Sequence, residues 1–319
     1  ERALAGGRGH GAASGVRRMT VLVFGANGQV GTELLRALQV SGPVLATTRS
    51  GALKDGRECI RADFSEPDAV VEVLHDVKPR IVVNAAAYTA VDRAENEPEA
   101  AQVANATTPG AIATWCAGND VPLVHYSTDY VFDGTGTRPY HPGDATAPLG
   151  VYGATKLAGE NAIRSAGGRH LIFRTAWVYA AHGQNFLRTM LRVGAERDVL
   201  RVVADQVGTP TPAALIADVT ARALAHPDAS GTWHLTAEGE TSWHGFAEAI
   251  FAGAVERGLL PRAPHIERIT TADYPTPAKR PAYSRLDTST LQRDFGVELP
   301  HWTQGLSRVL DQLAARHAD

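Results

Sequence analysis

The sequence predicts an α/β protein: a doubly wound parallel sheet with a smaller lobe at its C-terminal end. Three observations carry that prediction. Short, nearly uninterrupted apolar runs alternate with amphipathic segments from Met19 to about residue 180, the pattern of strands buried on both faces of a parallel sheet. The first strand-to-helix turn carries spaced glycines. Beyond residue 180 the alternation gives way to longer helical stretches and a polar, Pro-rich segment. Together they indicate a Rossmann-type sheet followed by a lobe of different construction.

Taken in order, "TVLVFGA" is a short β-rich run ending at a glycine, and "GTELLRALQV" has apolar residues at helical spacing. "PVLATT" reads as a second strand, "AVVEVLHDVK" as a helix and "RIVVNAAA" as a strand. "AAQVANATTPGAIATWCAGN" reads as one helix, followed by the strand "VPLVHYS". "YGATKLAGENAIRSAG" is helical and "HLIFRTAWVY" is a further strand. After that come the helix "NFLRTMLRVGAE", the loop "DQVGTPTP", the helix "PAALIADVTARALAH" and the strand "GTWHLTA". A closing amphipathic helix follows "TTADYPTPAKRPAYSRLDTS". The expected organisation is therefore a tail over 1–18 and a nucleotide-binding domain over 19–180. Part of 211–240 returns to that domain, and 181–319 is mainly a substrate lobe.

Composition narrows the function classes. The 319 residues are 44% hydrophobic and 20% charged, with a net charge of −3, so no basic field recruits nucleic acid or an acidic membrane. No apolar run reaches the ~20 residues that a membrane-spanning helix needs. The Gly-, Ala- and Arg-rich opening lacks the apolar centre of a signal peptide and is expected to be disordered. Cys59 and Cys116 form no CxxC pair, which points to two buried free thiols in a reducing compartment. A cytoplasmic enzyme is the expectation.

The chemistry lies in three motifs. "FGANGQVG" sets Gly25, Gly28 and Gly31 between the first strand and the first helix. There glycines permit a tight turn and let the backbone approach a pyrophosphate at a helix N-terminus. An NAD site usually presents an acid at the end of the second strand. Here "ATTRSG" offers Arg49 and Ser50 instead, a guanidinium and a hydroxyl suited to the 2′-phosphate of NADPH, with NADH as the lesser option. Asp63 and Phe64 are candidates for the adenine edge and face. "HYSTDYVFDG" then ends a strand with Ser127, Thr128 and Asp129, where open α/β sheets bind ligands. In "YGATK", Tyr152 and Lys156 stand one helical turn apart on one face. An ammonium there is expected to stabilise a phenolate, and Thr128 to donate to the same substrate oxygen. With a nicotinamide beside them, these groups would reduce a carbonyl.

These motifs resemble the extended short-chain dehydrogenase/reductase superfamily. Within it, "NAAAYTAVDRAENEP", "STDYVFDG", "VYGATKLAGE", "FRTAWVYA", "DQVGTPT" and "RPAYSRLDTS" resemble the dTDP-4-dehydrorhamnose reductase family from Met19 to the final helix. The resemblance implies reduction of the C4 ketone of dTDP-4-dehydro-β-L-rhamnose by NADPH, giving dTDP-L-rhamnose. It makes Tyr152 the proton donor and Lys156 the residue that tunes it and holds the nicotinamide ribose. Gly28, Gln29, Val30, Asp63, Phe64, Ala87, Tyr88 and Thr89 match cofactor-contacting positions. Thr128, Asp129 and Trp177 match sugar-side positions, and Arg280 matches a segment that could meet the diphosphate.

One departure concerns assembly. Some members of the family resemble magnesium-bridged dimers built on glutamates. Glu33 is present, expected as a solvated residue in the first turn of its helix, but the later position holds Ala214. With a ligand missing from a hard-cation site, no metal is expected, and the chain should be a monomer or a metal-free homodimer. Two other readings remain: a sister dTDP-4-keto-6-deoxyhexose reductase of antibiotic deoxysugar synthesis, and a non-catalytic NADP-binding regulatory homologue. A dehydratase pattern would carry a second acid where Tyr130 stands, which argues against elimination.

Overall fold

In the computed structural model, which describes residues 20–318, the sheet strands are short and, apart from a two-residue strand at one edge, mostly apolar. The tail expected over 1–18 lies outside the described residues. The strands are β1 (Val21–Phe24), β2 (Val44–Thr48), β3 (Ile60–Arg61), β4 (Ile81–Asn84), β5 (Leu123–Thr128) and β6 (His170–Thr175), joined by Gly231–His234. The spatial order is Gly231–His234, β6, β5, β4, β1, β2, β3, and each neighbouring pair is parallel. Between β1 and β4 the winding direction reverses, which opens a crevice at the carboxyl ends of the strands.

Both sheet faces are covered, which explains the continuous apolar strands. On one face Val21, Val23, Val83 and Phe173 pack against α1 (Gln29–Ala37) and the helix Ala213–Ala223. On the other, Leu22, Phe24, Val82 and Ile172 meet α2 (Pro67–Val77) and α5 (Thr108–Gly118). Between α2 and α5 come α3 (Val91–Ala94) and α4 (Pro98–Gln102). The single helix read over 100–119 is in fact α4, a π-helical turn at Val103–Thr107, and α5. A π-turn inserts a residue without breaking the helix, so apolar periodicity alone does not reveal it. No helix among the described residues is long and apolar enough to cross a membrane.

Beyond Tyr179 lie the helices Phe186–Glu196, Trp243–Glu256 and Trp302–Ala318, with a parallel pair of strands, Val199–Val203 and His265–Ile269. Phe246, Trp302, Leu306 and Leu310 centre their core. The stretch read as a loop at 205–212 contains two short pairings, Val207–Gly208 with Thr241–Ser242 and Thr211–Pro212 with Val178–Tyr179. Cys116 is buried, but Cys59 is only partly so, its Sγ 3.4 Å from the Thr48 hydroxyl.

The helix α6 (Val151–Ser165) lies close against other backbone. A Cβ on Gly159 would sit 2.1 Å from the Asn105 carbonyl oxygen, whereas one on Gly118 in α5 would meet nothing within 4 Å. Alanine improves helix propensity by about 1 kcal/mol over glycine, and overpacking costs about 1–3 kcal/mol. Gly159→Ala should therefore lower the stability measured by denaturant unfolding by about 1 kcal/mol or more, while Gly118→Ala leaves it unchanged or raised. Equal effects at the two positions would contradict this packing.

Candidate active site

The crevice at the strand ends is a cleft of about 820 Å³, within the usual range for small-molecule sites. The β1–α1 turn forms one end. Gly25 adopts φ +80°, and a Cβ there would lie 2.6 Å from the Ala86 amide nitrogen. Gly31 is closer still, since its Cβ would fall 2.1 Å from the Gly25 oxygen. Gly25 and Gly28 lie before the N-terminus of α1 and Gly31 in its first turn, beside the small residues Ala85, Ala86 and Ala87. A flat dinucleotide with a pyrophosphate fits such a cradle, and a turn built only for packing has no need of the open floor.

Gly28, Gln29, Val30, Arg49 and Phe64 line this half of the cleft, and Ala87, Tyr88 and Thr89 line its middle. Arg49 is 83% exposed, with Asp63 at 3.7 Å, and Lys54 stands on the same wall. Ser50 and Asp63 lie outside the lining: the Ser50 hydroxyl donates to the Ala52 carbonyl, and Asp63 accepts from the Ser65 amide and hydroxyl. Those Ser65 bonds hold the Asp63 carboxyl below its usual range.

Thr128, Asp129, Tyr152, Lys156 and Trp177 line the other half. The α6 N-terminus that carries Tyr152 is capped by Glu95, whose carboxylate accepts the Val151 amide at 2.9 Å, a favourable charge at that helix end. Lys156 is fully buried, and its Nζ donates to the Tyr126 carbonyl at 2.6 Å and lies 3.3 Å from His125 Nε2. No hydrogen bond joins Lys156 to Tyr152 among the described residues. The expected lowering of the phenol by the ammonium is therefore absent here. Burial pushes Tyr152 up to about 12, the Asp129 charge adds to the rise, and the Thr128 hydroxyl opposes it. Burial likewise pulls Lys156 down to about 8. Desolvation outweighs a pair interaction that the side chains do not make.

Thr128 is also otherwise engaged than expected. Its hydroxyl donates to Asp129 Oδ1 at 2.9 Å and accepts the Tyr130 amide at 3.2 Å. Asp129 Oδ2 and Thr175 Oγ1 are buried in the cleft wall without partners, which suits a ligand rich in hydroxyls. Burial raises the Asp129 carboxyl to about 6. Tyr130 packs edge-on against Tyr152, ring centroids 5.5 Å apart.

Trp177 holds φ +49°, strained for a bulky residue. Its indole rests on Gly208 and stacks on Trp243 at 3.6 Å. Arg280 does not line the cleft. Its guanidinium is bound by Asp92 of α3, at 3.1 and 2.7 Å, which also holds the Asp92 carboxyl below its usual range. Glu33 stands in the second turn of α1, where its carboxylate is partly buried and meets His182 Nε2 at 2.9 Å, so it is not simply solvated. That hydrogen bond lowers its carboxyl. Among the described residues no group of three or more His, Cys, Asp or Glu could hold a metal ion.

Sequence reasoning missed Asn84, His125, Lys54, Gln184 and Trp243. Asn84 and His125 read as strand residues, and only the pairing of β4 with β5 reveals that they meet. Trp243 lies far along the chain, and no local pattern ties it to Trp177.

Known proteins bear on this geometry. The family described as the RmlD substrate binding domain matches residues 19–315. The dTDP-4-dehydrorhamnose reductase of Escherichia coli (strain K12) is 48% identical over 301 residues, covering 92% of this chain and 98% of that one. The Burkholderia thailandensis protein of the same name is 48% identical over 308 residues, 93% and 100% of the two chains. Among solved structures, dTDP-4-dehydrorhamnose reductase from Bacillus anthracis str. Ames in complex with NADP superposes with a TM-score of 0.83 at 32% identity, covering 92% of this chain and 99% of that one. With the glycine turn, the Thr128–Asp129 strand end and the Tyr152–Lys156 helix all in one cleft, and such likeness along nearly the whole chain, the protein belongs to the dTDP-4-dehydrorhamnose reductase family.

Proposed function

We propose that the protein reduces the C4 ketone of dTDP-4-dehydro-β-L-rhamnose with NADPH to give dTDP-L-rhamnose. The observation that carries this reading is a buried phenol, Tyr152, facing the same cleft as the bare glycine turn, with Thr128 beside it. Bound NADPH supplies the hydride. The chain's own residues handle the proton and the sugar. Burial keeps the Tyr152 phenol protonated across the neutral range, as a donor to a developing alkoxide must be. Thr128 is a second donor to that oxygen once its hydroxyl turns from Asp129. The free Asp129 Oδ2 accepts a sugar hydroxyl, and the Trp177 indole supplies an apolar face.

Arg49, with Lys54 on the same wall, meets the 2′-phosphate, which favours NADPH over NADH. Asp63 then acts by steadying Arg49. Arg280 reaches a diphosphate only by exchanging Asp92 for it. Residues 19–180 and the returning segment within 211–240 serve the cofactor, and most of 181–319 serves the sugar nucleotide. Any homodimer forms without a bridging metal, because Glu33 is committed to His182 and position 214 is alanine.

Tyr152→Phe removes only the hydroxyl. Turnover should fall roughly 10²-fold or more while NADPH still binds in fluorescence titration, and retention of a tenth of the wild-type kcat would rule out Tyr152 as the donor. Arg49→Ala should weaken NADPH binding by about 1.5–3 kcal/mol, the range for hydrogen bonds to charged groups, and leave NADH nearly untouched. Equal losses would show that Arg49 does not read the 2′-phosphate.

Asp129 gives a pH-dependent test. Its folded carboxyl, at about 6, sits above the unfolded one near 3.9, so the folded state holds its proton more tightly. The cost of the buried charge is absent below about pH 4 and complete above about pH 6, on the order of 3 kcal/mol. Asp129→Asn should therefore melt higher than wild type at pH 8, lose that advantage near pH 4, and bind the sugar nucleotide less well. A variant less stable than wild type at pH 8 would contradict this.

A further inference from the structure

Behind Lys156 lies a buried chain of polar groups that the proposed reaction does not use. Asn84, at the end of β4, is 1% exposed and His125 on β5 is 0% exposed. The Asn84 Oδ1 accepts the Ala86 amide at 3.0 Å, which fixes the side-chain amide in one orientation. Its Nδ2, a donor only, then points at His125 Nδ1 across 3.1 Å. Nδ1 must accept, so the imidazole carries its proton on Nε2. That Nε2 is the atom 3.3 Å from Lys156 Nζ. An N–H aimed at an ammonium is repulsive, whereas an N–H aimed at the lone pair of a neutral amine is a hydrogen bond. Nζ meanwhile keeps its own donation to the Tyr126 carbonyl, which a neutral amine still makes.

We propose that His125 is a positioning residue for the reduction, acting through Lys156: its Nε2–H, aimed by Asn84, stabilises the neutral amine, so that the lysine exchanges its proton rather than carrying a fixed charge. This rests on the proposed reduction and on Lys156 serving Tyr152 through an intervening hydroxyl or water, since the two side chains make no direct hydrogen bond. A lysine that exchanges its proton can return one to the spent phenolate; a permanent cation cannot.

The other charged groups around the amine do not override this. Glu160, one turn along α6, favours the ammonium, but Arg174 of β6 binds its carboxylate at 2.7 Å and Arg164 at 3.1 Å. Asp129, following β5, titrates near 6, and Tyr152 near 12. Neither changes charge where Lys156 does, near 8. Burial and the Lys156 charge both hold the His125 imidazole neutral.

The chain has four lysines, Lys54, Lys78, Lys156 and Lys279, so a [13Cε]lysine NMR titration of the cofactor-free protein reads each directly, Lys156 being the resonance lost in Lys156→Met. Its midpoint should lie near 8, well below the ordinary lysine value of about 10.4. In His125→Leu the midpoint should rise by about one pH unit, a tenfold gain in proton affinity of the size one hydrogen bond supplies. The alkaline limb of kcat/KM should move with it. An unchanged midpoint in His125→Leu would overturn the proposal, leaving burial alone to set the lysine. So would 15N spectra of the wild-type protein with the His125 proton on Nδ1, a measurement that stands even where the variant does not fold. Because the titration needs neither cofactor nor sugar, a coupled His125–Lys156 pair in a protein that reduces no sugar ketone would defeat the proposed function and leave only the coupling of the two side chains standing.

Discussion

The helix that carries Tyr152 and Lys156 lies where it does because two of its positions have no side chain. A Cβ on Gly153 would sit 2.2 Å from the Tyr130 carbonyl oxygen, and one on Gly159 2.1 Å from that of Asn105. Backbone against backbone, α6 brings a phenol to the end of β5 and threads an amine beneath it to the Tyr126 carbonyl. Asn105, inside the π-turn, completes the lock. Its amide group pairs with both the Tyr88 N–H and C=O, at 2.8 and 3.1 Å, and donates to Thr155 at 3.1 Å. One buried side chain therefore ties the cleft's middle wall to the residue beside Lys156.

The price of this arrangement is buried polarity. Asp129, Lys156 and His125 are all almost entirely buried, and desolvation displaces each from its ordinary titration. A fold selected only for stability would fill these places with apolar side chains. Trp177, strained at positive φ and stacked on Trp243, is a further local cost borne at the cleft. Such concentrations of strain and displaced titration mark a working site more than a structural one.

Much of this was legible in the sequence. The alternating apolar runs gave the parallel sheet, because strands covered on both faces cannot be polar. The glycine turn, the Thr128–Asp129 strand end and the Tyr152–Lys156 spacing are local patterns, and they converge on one cleft. What stayed hidden depends on contacts between distant segments. Spacing says that Tyr152 and Lys156 share a helix face, but not that Lys156 turns to His125 and a carbonyl instead of to the phenol. It does not tell that Arg280 is held by Asp92, 188 residues away. Glu33 looked solvated because its partner, His182, is 149 residues distant. The π-turn left the chain helical on both sides, so no break in the pattern marked it.

The proposed reaction brings a hydride and a proton to C4 of a dTDP-linked ketosugar in this cleft. The most direct measurement is turnover of dTDP-4-dehydro-β-L-rhamnose with NADPH carrying deuterium at the transferable nicotinamide position, with the product read by proton NMR. The expected product is dTDP-L-rhamnose with deuterium at C4, its H4 signal lost in step with NADPH consumption. A product with H4 intact, or label exchanged with no net consumption of NADPH, would contradict it.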